Sequence, residues 1–191
     1  HSHADHWFGV LEMAKHLGAK EIYLHCITDG RDTDPHDGKR FLADLQDSRW
    51  DFRTDMAESI IEIIETLFCH QQGEDLSGRP MRGKPLILEP FQLFIIYNLC
   101  GFFLPDTDIR RYQEAMWMLA RKNGKTPFAT AFCWAMGLWY SRSFSKIKTV
   151  AGSMKQNMEG FGFLSYNLHR LGLTVIEDAA HGLRVLDSSL G

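Results

Sequence analysis

The stretch from Tyr112 to Tyr140 limits the possible folds more than any other part of the chain. Tyr112–Ala120 reads as an apolar run suited to a buried central strand. Arg121–Lys125 is a tight basic loop, and Thr126–Tyr140 reads as a buried helix rich in Ala, Phe and Trp. Strand, short loop and helix form the unit from which parallel α/β sheets are built. Lys146–Ala151 and Leu183–Leu186 supply two further strand candidates. Between them, Ser153 and Gln156 form a capping box that opens a helix to about Arg170. The expected fold is α/β, with an incomplete parallel sheet and flanking helices.

The amino-terminal pattern predicts a second, shorter α/β fragment. Trp7, Val10, Leu11, Ala14 and Leu17 have helical spacing, with Gly18 as a natural stop. Glu21–Thr28 reads as a strand, Asp29–Pro35 as a polar loop and Lys39–Gln46 as a short helix. Asp47–Thr54 is the least patterned segment here. After it, Ala57, Ile60, Ile61, Ile64, Leu67 and Phe68 make one helical stripe, capped by Thr54 or Asp55. Gln71–Lys84 is a polar, Gly-rich connection, and Pro90 opens a helix to about Phe103.

Charge divides the chain in the same region. Residues up to Pro80 include 16 acidic and 8 basic side chains, against 8 acidic and 13 basic beyond it. The basic portion suits phosphates. Cys26, Cys69, Cys100 and Cys133 lie far apart in apolar contexts, without a C-x-x-C pair, and read as reduced core thiols. The longest apolar run, Phe91–Leu104, is broken by Gln92, Asn98 and Gly101 and falls short of the roughly 18 residues of a membrane span. No membrane partner and no signal peptide are expected, and both ends of the chain read as cuts.

The sharpest chemical motif is Ala120-Arg-Lys-Asn-Gly-Lys-Thr126. At a helix start, backbone N–H groups and the positive end of the helix dipole face an anion. Lys125 is placed to neutralise β- and γ-phosphates, and the Thr126 hydroxyl to ligate Mg²⁺. Arg121, Lys122, Asn123 and Gly124 complete the loop. Leu119 stands where the general G-x-x-x-x-G-K-[ST] pattern has its first glycine. A basic surface turn would also explain the tripeptide.

Arg121–Thr126 resembles the deviant Walker A motif, R-K-N-G-K-[ST], of the large terminase subunits of tailed phages. Leu88-Glu-Pro-Phe-Gln92 is similar to that family's adenine-reading element, in which a Gln amide can donate and accept at the base edge. Arg110-Arg-Tyr112 and Ala151–Gln156 also look like the family, although capping explains Gln156 equally well. The resemblance covers about residues 51–191 and implies that the incomplete parallel sheet is P-loop NTPase-like. It implies ATP with Mg²⁺, double-stranded DNA, the phage portal and the small terminase as partners, and a bacterial host's cytoplasm, with a phage or prophage gene. No acid pair after Lys125 follows a long apolar run; Glu177-Asp178 follows only two apolar residues. The resemblance places the Walker B acids and the nuclease beyond Gly191, so ATP turnover is not expected.

His1-Ser-His-Ala-Asp-His6 spells the H-x-H-x-D-H ligand string of the metallo-β-lactamase fold. The helix and strand that follow do not suit that fold. A better match is the cofactor-independent phosphoglycerate mutase family, which carries H-S-H-x-[DE]-H and then D-G-R-D-T-x-P at a strand end. Asp29-Gly-Arg-Asp-Thr-Asp-Pro35 meets the second pattern. The resemblance implies that His1, Arg31 and Asp32 contact phosphoglycerate. A surface turn with a weak ion pair would also explain Arg31 and Asp32. The nucleophilic serine and two-manganese site of that family lie in a domain not recognisable here, so manganese is implied only alongside that domain.

The patterns divide the chain into a mutase-like fragment (1–46), a junction with an amphipathic helix (47–80) and a terminase-like ATPase part (81–191). The main functional expectation is the ATP-binding part of a DNA-packaging motor. The alternatives are a phosphoglycerate mutase fragment, hence part of an isomerase, and a chimeric chain without function.

Overall fold

The computed structural model describes residues 36–75, 77–117, 123–140, 147–150, 153–173, 175–178 and 182–185. They form two compact units. One holds the described residues up to Ile61 and from Leu88 to Asn123; the other holds Glu62–Ile87 and those from Gly124 onward. The division falls inside one helix. These units interleave along the sequence.

In the first unit, α1 (His36–Gln46) leads through a turn into β1 (Asp51–Phe52). Asp47 shapes that turn: its carboxylate accepts from the Arg49 N–H at 3.1 Å and from the guanidinium Nη2 at 2.7 Å. The expected helix at Lys39–Gln46 is thus present and starts earlier. Next comes α2 (Asp55–Leu67), with Asp55 and Glu58 in its first turn facing the positive end of the dipole. From the predicted stripe, Ala57, Ile60, Ile64 and Phe68 are buried, together with Met56. Ile61 and Leu67 are half-buried.

Helix α3 (Pro90–Gly101) is apolar on almost every side and buries Phe94, Ile96, Tyr97 and Cys100. It ends two residues before the expected Phe103. Phe102 switches to extended backbone (φ −102°, ψ 124°) so that β2 (Phe102–Phe103) pairs antiparallel with β1. This pairing brings Gly101 against Phe52. A Cβ at Gly101 would lie 2.5 Å from that ring, so only glycine fits without displacing it. Phe41 of α1 is fully buried and makes edge contacts with Phe52, Phe94 and Phe102 at 5.5–5.7 Å between centroids. That aromatic cluster is the core of the unit.

In the second unit, the polar stretch after α2 folds back on itself. Cys69 bridges Pro85 and Glu74 bridges Pro80, both antiparallel. Helix α4 (Lys125–Tyr140) buries Phe128, Ala131, Phe132 and Ala135, one stripe at helical spacing. Helix α5 (Met154–Arg170) begins just after Ser153 and ends in a Schellman turn. There Gly172 (φ 76°) donates to His169 O at 2.9 Å, and Leu173 donates to Leu168 O at 3.1 Å. Gly160 of α5 meets α4 closely: a Cβ there would lie 2.9 Å from Thr130 Oγ1. The Arg170 guanidinium donates to Leu67 O at 2.6 Å, satisfying a carbonyl at the end of α2.

Finally β3 (Val175–Asp178) and β4 (Gly182–Val185) form an antiparallel pair. This corrects the expected parallel sheet. All strand pairing among the described residues is antiparallel, in two sheets of two strands. Residues 112–117 of the predicted central strand are irregular, and Met116 is 87% exposed. Residues 147–150 of the second candidate are unpaired, with Val150 95% exposed. Apolar composition suggested buried strands there, but neither segment enters a ladder. The third candidate, near Leu183, does form a strand, in a hairpin with the segment that contains Glu177 and Asp178.

Candidate functional site

Local sequence sets the start of α4. Gly124 takes φ 63°, a left-handed conformation that favours glycine, and its carbonyl accepts from Phe128 N–H at 3.0 Å. Lys125 is the first helical residue and is exposed; Thr126 and Asn123 are half-buried. Pro127 lies in the first turn, where its missing N–H costs nothing. The Thr126 methyl lies 3.5 Å from the Cβ position of Gly160, so part of this side chain packs toward α5. Arg121 and Lys122 of the same motif lie outside the described residues.

Gln92 has a structural task. Glu89 is extended (φ −72°, ψ 151°), Pro90 opens α3, and the Gln92 side-chain oxygen accepts from Glu89 N–H at 2.8 Å. Gln92 is 6% exposed. Its carboxamide oxygen therefore closes the helix start, which differs both from an open adenine contact and from a solvated surface residue.

Pattern reading missed a cluster in the first unit. Asp44, on the buried face of α1, lies 2.8 Å from Arg111 Nη1, and the Tyr112 hydroxyl donates to its other oxygen. The side chains of Asp44 and Arg111 are 7% and 21% exposed. Arg111 Nη1 is at ion-pair distance but lacks hydrogen-bond alignment with any partner. Its guanidinium lies over the rings of Trp50 and Tyr112, at 5.1 Å from each centroid. Arg40 also lies over the Tyr112 ring, at 5.7 Å from its centroid. Burial, then the bond to Asp44 and its charge, push the Tyr112 phenol up to about 12. A signal existed in the sequence: Asp44 shares the stripe of Phe41 and Leu45, and a carboxylate on an apolar stripe needs a partner.

His1, Arg31 and Asp32, the phosphoglycerate-contacting residues implied by resemblance, lie outside the described residues, as do His3, Asp5 and His6. Among the described residues no group of three or more His, Cys, Asp or Glu side chains is placed to hold a metal ion. The described residues thus do not fit a two-manganese centre. No helix among them is long and apolar enough to cross a membrane.

Comparison with known proteins bears on the amino-terminal part. Residues 1–61 match the family described as BPG-independent PGAM N-terminus. A 2,3-bisphosphoglycerate-independent phosphoglycerate mutase of Cyanothece sp. is 55% identical over 47 residues, which are 25% of this chain and 9% of that protein. The Vibrio campbellii enzyme of the same name is 51% identical over 47 residues, and that of Clostridium perfringens (strain SM101) 46% over 48, with the same shares. The chain thus spans about a tenth of the length of these relatives. None of them is a terminase. No solved structure matches the chain.

Proposed function

We propose that residues 1–61 are the phosphoglycerate-contacting start of a cofactor-independent phosphoglycerate mutase. The observation that carries this reading is the family match over that span, which includes both His1–His6 and Asp29–Pro35. Chemically, the Arg31 guanidinium can grip a phosphate or carboxylate through two parallel N–H donors. Asp32 and His1 would take hydroxyl or phosphate contacts beside it. Interconversion of 2- and 3-phosphoglycerate would need the nucleophile and metal pair that the resemblance places in another domain. The role assigned to this chain is substrate contact. Titration calorimetry with 3-phosphoglycerate tests it: the chain should bind, and Arg31→Ala should abolish the heat. Equal binding by the two proteins would sink the reading.

A second reading rests on the start of α4. Left-handed Gly124 and exposed Lys125 at the start of a 16-residue helix support an ATP-phosphate contact there. Under it the chain belongs to a terminase-like packaging motor, with ATP and Mg²⁺, double-stranded DNA, portal and small terminase as partners. A fluorescent ATP analogue should then bind and be released by Lys125→Ala. Binding that is absent, or indifferent to that substitution, rules it out.

A further inference from the structure

In the second unit, the hairpin that follows α2 lies against α5. Its base is the Cys69–Pro85 bridge and its far end the Glu74–Pro80 bridge. Gln71 Nε2 lies 3.8 Å from the Cβ position of Gly162, and Tyr166 Oη lies 4.0 Å from that of Gly83. Charge is sorted along the hairpin. At the far end, Asp75 spends its oxygens on the Arg79 guanidinium, at 2.7 Å, and on the N–H groups of Ser77 and Arg79. Near the base, Arg82, Lys84 and Arg170 are exposed, and none of them has an ion-pair partner among the described residues. Tyr166 gathers them. Arg82 Cζ lies over its ring, 5.5 Å from the centroid, Lys84 follows Gly83, and Arg170 stands one turn further along α5. Arg170 uses Nη2 on Leu67 O. Glu159, the acid of α5, precedes Tyr166 by seven residues, about 10 Å along the axis.

We propose that Arg82, Lys84 and Arg170 around Tyr166 form a contact surface for single-stranded nucleic acid, with an unstacked base on Arg82 and backbone phosphates on Lys84 and Arg170. This rests neither on the mutase-like reading nor on the ATP-phosphate reading. The Tyr166 ring covers one face of the Arg82 guanidinium; Arg82 is exposed, so its other face is open to a base. Stacking on such a plane tolerates any base, and unopposed cations beside it follow the backbone. A lipid headgroup has phosphate but no ring to stack, and a duplex keeps its bases stacked on one another, so the pairing of plane and cations suits a single strand.

Fluorescence anisotropy of a labelled thymidine oligonucleotide with the full chain, measured over a series of salt concentrations, tests this. The unsubstituted chain should bind, with log affinity falling linearly in log salt. Lys84→Gln should weaken binding and lower the salt slope by about one. Arg82→Lys keeps the charge and loses the plane. It should keep the slope, weaken binding of the thymidine strand at least about fivefold, and leave binding of an abasic strand of equal length nearly unaffected. Arg79→Gln, at the far end and paired with Asp75, should change neither affinity nor slope. The three substituted side chains are exposed, and circular dichroism checks that each variant is folded. Absence of binding by the unsubstituted chain overturns the proposal. So does Arg79→Gln weakening binding as much as Lys84→Gln, since diffuse charge would then be the cause. Arg82→Lys without loss, or with equal loss for thymidine and abasic strands, overturns it as well. Phosphatidylserine vesicles that displace the oligonucleotide at equal phosphate concentration also overturn it, because the surface would then read phosphate alone.

Discussion

Each unit buries a polar side chain on a helix to tie distant segments together, and the two do so by different chemistry. In the first unit the tie is ionic: Asp44 meets Arg111 and Tyr112. In the second it is neutral. Asn167 of α5 is fully buried; its Oδ1 accepts from Cys69 N–H at 2.7 Å, and its Nδ2 donates to Cys69 O at 3.2 Å and to Phe163 O at 3.0 Å. The amide clasp resembles a pair of ladder bonds and leaves the Cys69 backbone satisfied at both ends. Ionic ties pay a desolvation cost that only a close partner offsets. The difference teaches that the neutral clasp is self-sufficient, whereas Asp44 is stable in place only while Arg111 stays beside it.

The largest effect should come from breaking the ionic tie on one side. Arg111→Ala leaves a buried carboxylate facing a ring and a phenol, and should cost about 3 kcal/mol, the low end for a buried pair because Arg111 keeps some contact with water. Urea unfolding monitored by Trp fluorescence measures this. Replacing Asp44 and Arg111 together by Leu and Met removes both charges and should restore most of the loss. If the double variant is no more stable than Arg111→Ala, an unpaired buried charge at Asp44 is not what destabilises the single variant.

A smaller loss should follow in the second unit. Asn167→Ala strands the N–H and C=O of Cys69 without partners, at about 2 kcal/mol for a buried donor and acceptor that find partial compensation. Asn167→Asp keeps the acceptor for Cys69 N–H but cannot donate to Cys69 O or Phe163 O when ionised. It should therefore be worse than alanine at neutral pH and recover toward acid pH, as protonation restores a donor. Equal stability of the two variants at all pH values would remove the distinction drawn between neutral clasp and ionic tie.

Helices were the legible part of this fold. The stripe Ala57–Phe68 and the Pro90 start each rest on local physics, on burial periodicity and fixed φ, and each stands in the structure. Strands were less legible. The candidate near Leu183 does pair, whereas residues 112–117 and 147–150 had the composition of strands without entering a ladder, because pairing depends on distant partners that no local pattern records. Tyr112 illustrates why: its side chain meets Asp44, a residue 68 positions away. The candidate site divides in the same way. Gly124 and Lys125 stand at a helix start as their spacing implied, while the role of Gln92 turned on burial, and Arg31 and Asp32 lie outside the described residues.

The smallest expected effect sharpens what the ionic tie consists of. Burial is the main reason the Tyr112 phenol rises from the usual 10 to about 12, with the bond to Asp44 and its charge next. A group whose folded pKa is raised contributes stability that is fully present below its unfolded pKa. That contribution should be intact below pH 10 and lost as the pH rises through about 12. A tyrosinate absorbance titration of the folded chain should show, beside Tyr97, which burial also raises, a late-ionising phenol that is missing in Tyr112→Phe. In Asp44→Asn that phenol should ionise earlier, because the charge is gone, yet still above the usual value, because burial remains. A return fully to the usual value would make Asp44 the whole cause, and no change at all would make the ring's surroundings the whole cause. The intermediate result is the one that fits a carboxylate held jointly by a cation and a phenol.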